Sequence, residues 1–207
     1  MPRRPAPRAR RTRVSAAERR ERLLRAFIAE SLAQGSIAGA GVRAVVTRAG
    51  CTAPILYRLF GSRAGLVRAA VRSTHLPLIE RLETLAERSR GPASERVRQL
   101  ADSYLERAPG ESEAFEALVG AECHGDVELA RWVRAIFARF EVLLIAIIRD
   151  GIRSREFRAD ADPRYAAWRL IDLGLFRNQA RLMRLTAPDR IRYAERAVES
   201  LLAELAP

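Results

Sequence analysis

The chain is poor in residues on which many enzymes and secreted proteins depend. It has two cysteines, two histidines and no lysine among 207 residues. The two cysteines, Cys51 and Cys123, are far apart in sequence, so they offer no disulfide framework and suit a reducing cytosol. Two histidines provide little general-base capacity, and neither a glycine-rich phosphate loop after a strand nor a nucleophile elbow is present. We therefore expect a cytoplasmic protein that is not an enzyme.

Long apolar runs and convincing metal sites are also missing. The charge-free apolar run Val142 to Ile148 is far too short to span a membrane, and the Arg- and Pro-rich amino terminus has no apolar stretch typical of a secretory signal. Glu122, Cys123, His124 and Asp126 form the one cluster of ligand-type side chains. Adjacent Cys and His on a helix point about a third of a turn apart, and no second half of a site appears elsewhere. We expect no metal, no cofactor and no membrane association.

Arginine supplies every basic side chain, and its distribution is uneven. Residues 1–75 hold 16 Arg and 3 Glu, whereas residues 76–207 hold 21 Arg and 22 acidic residues. The net charge of +12 therefore comes entirely from the amino-terminal part. A basic segment joined to a neutral remainder is typical of a protein that binds polyphosphate with one part only. A run of charge can also be a solvated surface, and the motif within this segment favours DNA.

Residues of about 40–59 predict two short helices joined by a tight turn, which is a helix-turn-helix. Gly50 supplies the permissive backbone that ends the first helix, Thr52 can cap the second, and Pro54 lies in its first turn, where a missing N–H is tolerated. Apolar residues recur at helical spacing on the face that would pack the pair together: Val45, Val46, Ala49, Ile55, Leu56 and Leu59. Tyr57, Arg58 and Arg63 are left for contact with another molecule.

The helix start and stop signals in the rest of the chain predict helices throughout, with no convincing strand. Residues 1–14 read as a disordered basic arm, and a first helix opens at Ser15 with Glu18 completing a capping box. Ser62 starts a further helix, and His75 to Pro77 marks a bend. Helical patterns follow at about 78–89, 93–107, 112–124, 127–154, 163–185 and 189–205. We expect an all-α protein with a three-helix DNA-binding domain at 15–75 and a larger domain at 76–207, each with its own core.

Residues of roughly 15–72 resemble the amino-terminal domain of the TetR family of one-component transcriptional repressors. The positions that carry the resemblance are Val45-Val46, Ala49-Gly50-Cys51-Thr52, Ala53-Pro54, Leu56-Tyr57, Leu59-Phe60, Arg63 and Leu66. Two positions depart from the family pattern, because Ala40-Gly41 replaces the usual threonine before the second helix and Ala53 stands where many members have a polar residue. The resemblance implies that the Tyr57 ring packs on the module and that its hydroxyl bonds to the backbone.

The expected DNA contacts are Arg43, Thr52, Ala53, Pro54, Tyr57, Arg58 and Arg63. Arg43 could reach a guanine edge or a phosphate, or remain a solvated charge, and Arg58 and Arg63 suit phosphates. Ala53, Pro54 and Ile55 form the tip of the recognition helix, which is the second helix of the motif, and offer few hydrogen-bonding groups. Contacts with thymine methyl groups and readout of DNA shape therefore gain importance. The arm at 1–14 either enters a minor groove or acts as a nonspecific tether, and the tether is the favoured interpretation.

The resemblance also implies that the larger domain binds a small molecule and dimerises through its last two helices. Candidate pocket residues, which could equally be plain core, are Phe115, Glu122, Trp132, Phe137, Phe140, Trp168 and Phe176, with Asn178 and Gln179 as further polar groups. Candidate dimer residues are Leu170, Leu173, Leu182, Val198, Leu201 and Leu202. The expected function is that of a ligand-responsive repressor that binds a palindromic operator on double-stranded DNA as a homodimer. The alternative is an architectural, weakly specific DNA-binding protein whose second domain only dimerises.

Overall fold

The computed structural model describes residues 15–105, 110–183 and 190–207, and the regular structure in these segments is entirely helical. The described segments contain nine α-helices, which are α1 (Ala16–Gln34), α2 (Val42–Ala49), α3 (Ala53–Phe60), α4 (Arg63–Arg88), α5 (Ala93–Leu105), α6 (Glu111–Glu122), α7 (Val127–Arg153), α8 (Pro163–Leu182) and α9 (Arg190–Leu205). The predicted all-α class is confirmed. The expected basic arm at 1–14 lies outside the described residues.

Helix α1 begins as its sequence predicts. The Ser15 hydroxyl accepts a hydrogen bond from the Glu18 amide at 3.0 Å, and the Glu18 carboxylate accepts one from the Ser15 amide at 2.7 Å. These reciprocal bonds satisfy two amide donors that a helix start would otherwise leave free. The helix ends at Gly35, which has a positive φ of 63°. A residue with a side chain would adopt this conformation less readily than glycine. The capping box and the stop signal are both confirmed.

The turn between α2 and α3 follows the prediction except at its cap. Gly50 has a φ of 62° and closes α2, and Pro54 lies in the first turn of α3. Thr52 is the residue before α3, but its side chain makes no capping hydrogen bond. The reason is that Pro54 has no N–H and the Ile55 amide already donates to the Thr52 carbonyl at 3.0 Å. The expected role of the Thr52 hydroxyl as a cap is therefore wrong.

The bend expected at His75 to Pro77 is also wrong, because α4 runs unbroken from Arg63 to Arg88 with Pro77 inside it. A proline in a helix leaves the carbonyl four residues earlier without its donor. Here that carbonyl belongs to Ser73, an exposed residue. Thr74, His75 and Leu78 are buried around the proline, so packing holds the helix together. The expected boundary between residues 75 and 76 thus falls within one continuous helix.

The amino-terminal cluster of buried side chains is shared with later helices. It consists of residues from α1 to α4, among them Leu23, Phe27, Val45, Leu56 and Leu66, together with Phe115, Leu118 and Val119 of α6 and Leu129 and Val133 of α7. The rings of Phe27 and Phe115 meet edge to face, with centroids 6.1 Å apart. The expectation that the DNA-binding region has its own separate core is therefore wrong. The buried faces of α1 to α4 pack against α6 and α7, which complete this core.

The carboxy-terminal cluster packs α5, α8 and α9 around the second half of α4 and the apolar stripe of α7. It includes Leu82, Leu100, Phe140, Leu144, Ile147, Ile148 and Ile171. Four expected dimer residues, Leu170, Val198, Leu201 and Leu202, also lie in it and are no more than 6% exposed. They are buried within one chain and cannot form an interface with another, so these four candidates are wrong. Leu173 is half-buried, and the Leu182 side chain lies outside the described residues.

Candidate nucleic-acid interface

One surface of the α2 and α3 pair is exposed and basic, while the opposite surface is used in packing. Val45, Ala49 and Leu56 are buried against the amino-terminal cluster. The exposed residues are Arg43, Thr47 and Arg48 on α2 and Thr52, Pro54, Tyr57 and Arg58 on or next to α3, with Ala53 half-buried. Sequence reasoning missed Thr47, although its spacing of four from Arg43 places both on one face of α2. Helix α3 therefore presents its first turn and Arg58 outward, as a recognition helix requires.

Tyr57 is more exposed than the resemblance implies. The residue is 46% exposed. Within the part of the chain that the structure describes, its hydroxyl forms no hydrogen bond, so the expected bond to the backbone is absent there. A phenol with both a free donor and a free acceptor is suited to a phosphate or a base edge. This position favours the alternative that Tyr57 contacts a molecule outside the chain.

Arg63 differs from Tyr57 and Arg58 because its guanidinium already has partners in the chain. Its Nη2 donates to the carbonyl oxygens of Ile37 at 2.5 Å, Ala38 at 3.1 Å and Ala40 at 3.4 Å. The residue is half-buried. The expectation that its side chain is left for an outside partner does not fit this arrangement. Its contact with a phosphate stays a prediction.

Two further arginines hold the reading helices in place, and neither role was visible in the sequence. The guanidinium of Arg20 on α1 lies 4.6 Å from the centre of the Phe60 ring, and its Nη1 donates to the Leu59 carbonyl at 3.2 Å. Arg48 on α2 donates to the Glu30 carboxylate at 3.0 Å. Hydrogen bonds from Gln34 and then from Arg48 hold the pKa of Glu30 below its ordinary value. Both helices of the pair are thus tied to α1, α2 near its last turn and α3 at its end.

A cavity of about 60 Å³ lies among α4, α5, α6, α7 and α8. Phe137, Phe140 and Gln179, all expected in a pocket, line it. Sequence reasoning missed four polar or aromatic residues of the lining, which are His75, Tyr104, Glu116 and Arg177. They come from four different helices, so no local pattern could have grouped them. The cavity is apolar along α7 and polar where α4, α6 and α8 meet.

The other expected pocket residues lie elsewhere. Phe115 belongs to the amino-terminal cluster, and Trp132 packs between both clusters with its ring 6.3 Å from that of His75. Trp168 is 37% exposed and its indole donates to Glu141 at 3.0 Å, and Phe176 is 63% exposed. None of these four lines this cavity, and Phe176 instead lines a separate pocket of about 200 Å³ together with Leu173 of α8 and Tyr193 of α9. The Asn178 side chain lies outside the described residues.

Two residues of the ligand-type cluster, Glu122 and Asp126, have separate structural roles. The Glu122 carboxylate accepts the Ile37 and Ala38 amides, so it does not face the cavity as one expectation placed it. The Asp126 carboxylate accepts the Leu129 amide at 3.0 Å and caps α7. The described side chains include no group of three His, Cys, Asp or Glu residues able to hold a metal ion. Likewise, none of the described helices is long and apolar enough to cross a membrane.

Comparison with known proteins agrees with this geometry. Residues 26–70 match the family model of bacterial regulatory proteins, tetR family. A search of curated protein sequences found no match.

Solved structures share the fold across nearly the whole chain. A TetR transcription regulator from Haloarcula marismortui is 12% identical, with a TM-score of 0.79 over 92% of this chain and 100% of that one. The transcriptional regulator FadR from Bacillus subtilis, in complex with stearoyl-CoA, is 17% identical, with a TM-score of 0.74 over 89% of this chain and 98% of that one. Reduced NemR from E. coli is 20% identical, with a TM-score of 0.70 over 91% and 97%.

Proposed function

We propose that the protein is a transcriptional repressor, because its residues 26–70 match the family model of bacterial regulatory proteins, tetR family. It binds a palindromic operator as a homodimer and releases it when a small molecule binds. The observation that carries the proposal is the exposed surface of α2 and α3. Arg43, Tyr57 and Arg58 face outward there, in the same part of the chain that holds all of the net positive charge.

Two features support a dimer: each chain has one recognition helix, and apolar side chains are exposed on α8 and α9. One short recognition helix reads half a site, and two-fold proteins match palindromic operators. Helices α8 and α9, and the residue directly after α8, expose large apolar side chains to 59 to 67%, namely Tyr165, Phe176, Met183 and Tyr193. Such a patch is typical of a protein interface. We assign the dimer contact to these residues in place of the buried leucines.

The effector site in this proposal is the cavity lined by Phe137, Phe140, His75 and Gln179. Its apolar wall and few polar groups are typical of small-molecule sites. A volume of about 60 Å³ suits a very small ligand, so a larger effector would have to push the surrounding helices apart. Because α4 runs from this cavity to Arg63 beside the recognition helix, such a movement would change the spacing of two recognition helices in a dimer. By linkage, operator DNA would weaken effector binding equally.

An architectural, weakly specific DNA-binding protein is the second candidate. The observation that favours it is the tip of α3, where Ala53 and Pro54 offer no side-chain hydrogen bonds to bases. In that case affinity would come almost entirely from phosphate contacts and would depend steeply on salt. The α8 and α9 surface would then serve only to pair two chains.

Footprinting of the DNA upstream of the protein's own gene tests the proposal. A repressor protects one palindromic segment, whereas an architectural protein covers the DNA uniformly. Arg58→Ala should weaken protection, because Arg58 lies on the exposed surface of α3. Arg149→Ala is the matched control, since it removes the same charge from an exposed position near the far end of α7. Uniform protection by the wild-type protein would contradict the repressor proposal.

A further inference from the structure

The loop between α1 and α2 is held from two sides by opposite charges. The Glu122 carboxylate accepts the Ile37 amide at 3.1 Å from each oxygen and the Ala38 amide at 3.2 Å. On the other side, the Arg63 guanidinium binds the carbonyl oxygens of Ile37, Ala38 and Ala40. Bonds of this kind, in which one partner is charged, are about twice as strong as neutral ones. We refer to Glu122, residues 37–40 and Arg63 together as the loop clamp.

The loop clamp brackets the two reading helices in sequence. Ala40, whose carbonyl Arg63 contacts, directly precedes Gly41, the residue before α2. Arg63 itself is the first residue of α4 and follows α3 after only Gly61 and Ser62. The chain therefore enters and leaves the α2 and α3 pair at the clamp. A shift of residues 37–40 must carry the beginning of α2 with it.

Glu122 connects this point to the rest of the molecule through α6. Phe115, Leu118 and Val119 of α6 are buried in the amino-terminal cluster, and Glu122 continues the same face one turn later. The opposite side of α6 lines the cavity with Glu116, Ala117 and Gly120. One helix therefore faces the cavity on one side and grips the entrance of α2 on the other.

We propose that Glu122 is a positioning residue for DNA recognition, which sets the orientation of α2 and α3 relative to α6 through the loop clamp. This inference rests on the proposed repressor function, since orientation matters only for a site with fixed half-site spacing. Glu122 touches no DNA in this account. It acts by holding the Ile37 and Ala38 peptides between its carboxylate and Arg63.

The sign of the Glu122→Ala effect separates positioning from electrostatics. The substitution removes a negative charge from a DNA-binding protein, so electrostatics alone would tighten binding to every duplex. Loss of positioning instead weakens operator binding, by about tenfold within the usual range of coupling between sites. The salt dependence of operator binding should stay unchanged, because no cation is removed. Affinity for a nonspecific duplex should stay equal or rise.

Two further variants complete the experiment. Glu122→Gln keeps one of the two oxygens that accept the loop amides but loses the charge, so it should recover only part of the operator affinity and still tests the inference if the alanine variant does not fold. Glu128→Ala is the matched control, because Glu128 is an exposed carboxylate nearby that pairs with Arg68 and does not touch the loop. The control should bind the operator as well as the wild type or slightly better.

Amide hydrogen exchange of the free protein provides a readout that needs no operator. In Glu122→Ala, exchange should accelerate at Ile37 and Ala38 and also through residues 42–60, while α7 to α9 stay protected. Unchanged exchange at 42–60, or operator binding as tight as that of Glu128→Ala, would overturn the inference. A wild-type protein that does not distinguish operator from nonspecific DNA would refute the repressor function instead, and the exchange measurement would still decide the loop clamp.

Discussion

Replacing Phe176 by Glu should separate the proposed dimer into folded monomers. Phe176 lies on α8 with 63% of its surface exposed, so packing within the chain uses little of the ring. A phenylalanine presents about 200 Å² of surface, which leaves roughly 125 Å² available to a partner. At about 25 cal/mol per Å², its burial contributes on the order of 3 kcal/mol per protomer.

The two-fold symmetry doubles this contribution, because each protomer brings its own Phe176 to an isologous interface. The total of about 6 kcal/mol corresponds to a roughly 10⁴-fold weaker dimer, and ordering costs make this figure an upper value. A dimer with a nanomolar dissociation constant would then dissociate at micromolar concentration. The charge of the new carboxylate adds to the effect, since burial of an unpaired charge is unfavourable.

Light scattering across a concentration series measures this effect directly. At micromolar concentration the wild type should have twice the chain mass of 23.2 kDa, and Phe176→Glu should have the mass of one chain with unchanged helical circular dichroism. Val142→Glu is the matched control, because Val142 is 65% exposed on α7 and outside the proposed interface. A Phe176→Glu protein that remains a dimer, or a wild type that is a monomer, would refute this reasoning.

Four other substitutions test the assignments made above. Leu201→Asp should unfold the chain, because Leu201 is only 3% exposed and lies in the chain's own core. We expect the free energy of unfolding to fall by at least about 3 kcal/mol. If denaturant titration showed the variant to be folded and its mass were that of a monomer, the assignment would be contradicted. Arg58→Ala should lower the slope of log operator affinity against log salt concentration by about 1. Arg63→Ala should change this slope less, because Arg63 already binds backbone carbonyls. Equal slopes for the two variants would show that both arginines contact phosphate. Glu156→Gln should cost about 1 kcal/mol at neutral pH, since the Glu156 carboxylate caps the start of α5. Burial raises the pKa of Glu156, but hydrogen bonds from Ser94 and Ala93 outweigh burial and place this pKa below 4.5. The contribution of Glu156 to stability is therefore present above pH 4.5 and is lost as the pH falls through the lowered pKa. A wild type and a variant with the same acid unfolding profile would refute this prediction.

Local signals in this chain predict local structure well. Ser15 and Glu18 fix the start of α1, Gly50 fixes the turn, and the helical pattern at 127–154 matches α7 at Val127–Arg153. Each depends on contacts within a few residues, or on a periodicity that the sequence displays directly. The same holds for the exposed position of Arg58, which follows from the apolar face of α3.

Properties that depend on contacts distant in sequence could not be predicted. Helical periodicity places Phe115 and Leu201 on apolar helix faces, but it does not say what those faces contact. Only the packed structure shows that Phe115 completes the amino-terminal cluster and that Leu201 faces the core of its own chain. Pro77 stays inside a helix because burial of its neighbours outweighs one lost hydrogen bond. Glu122 meets Ile37 across 85 positions of sequence, so no spacing rule could have joined them.

The most direct test of the central claim is selection of binding sites by the wild-type protein from a pool of random DNA duplexes. The proposed function predicts one enriched sequence with two-fold symmetry, whose half-sites lie one helical turn or a multiple of it apart, with two protomers bound per duplex. Arg58→Ala should bind this sequence more weakly, and Arg149→Ala should bind it as the wild type does. Recovery of duplexes with no shared sequence, or of a single half-site bound by one protomer, would contradict the account.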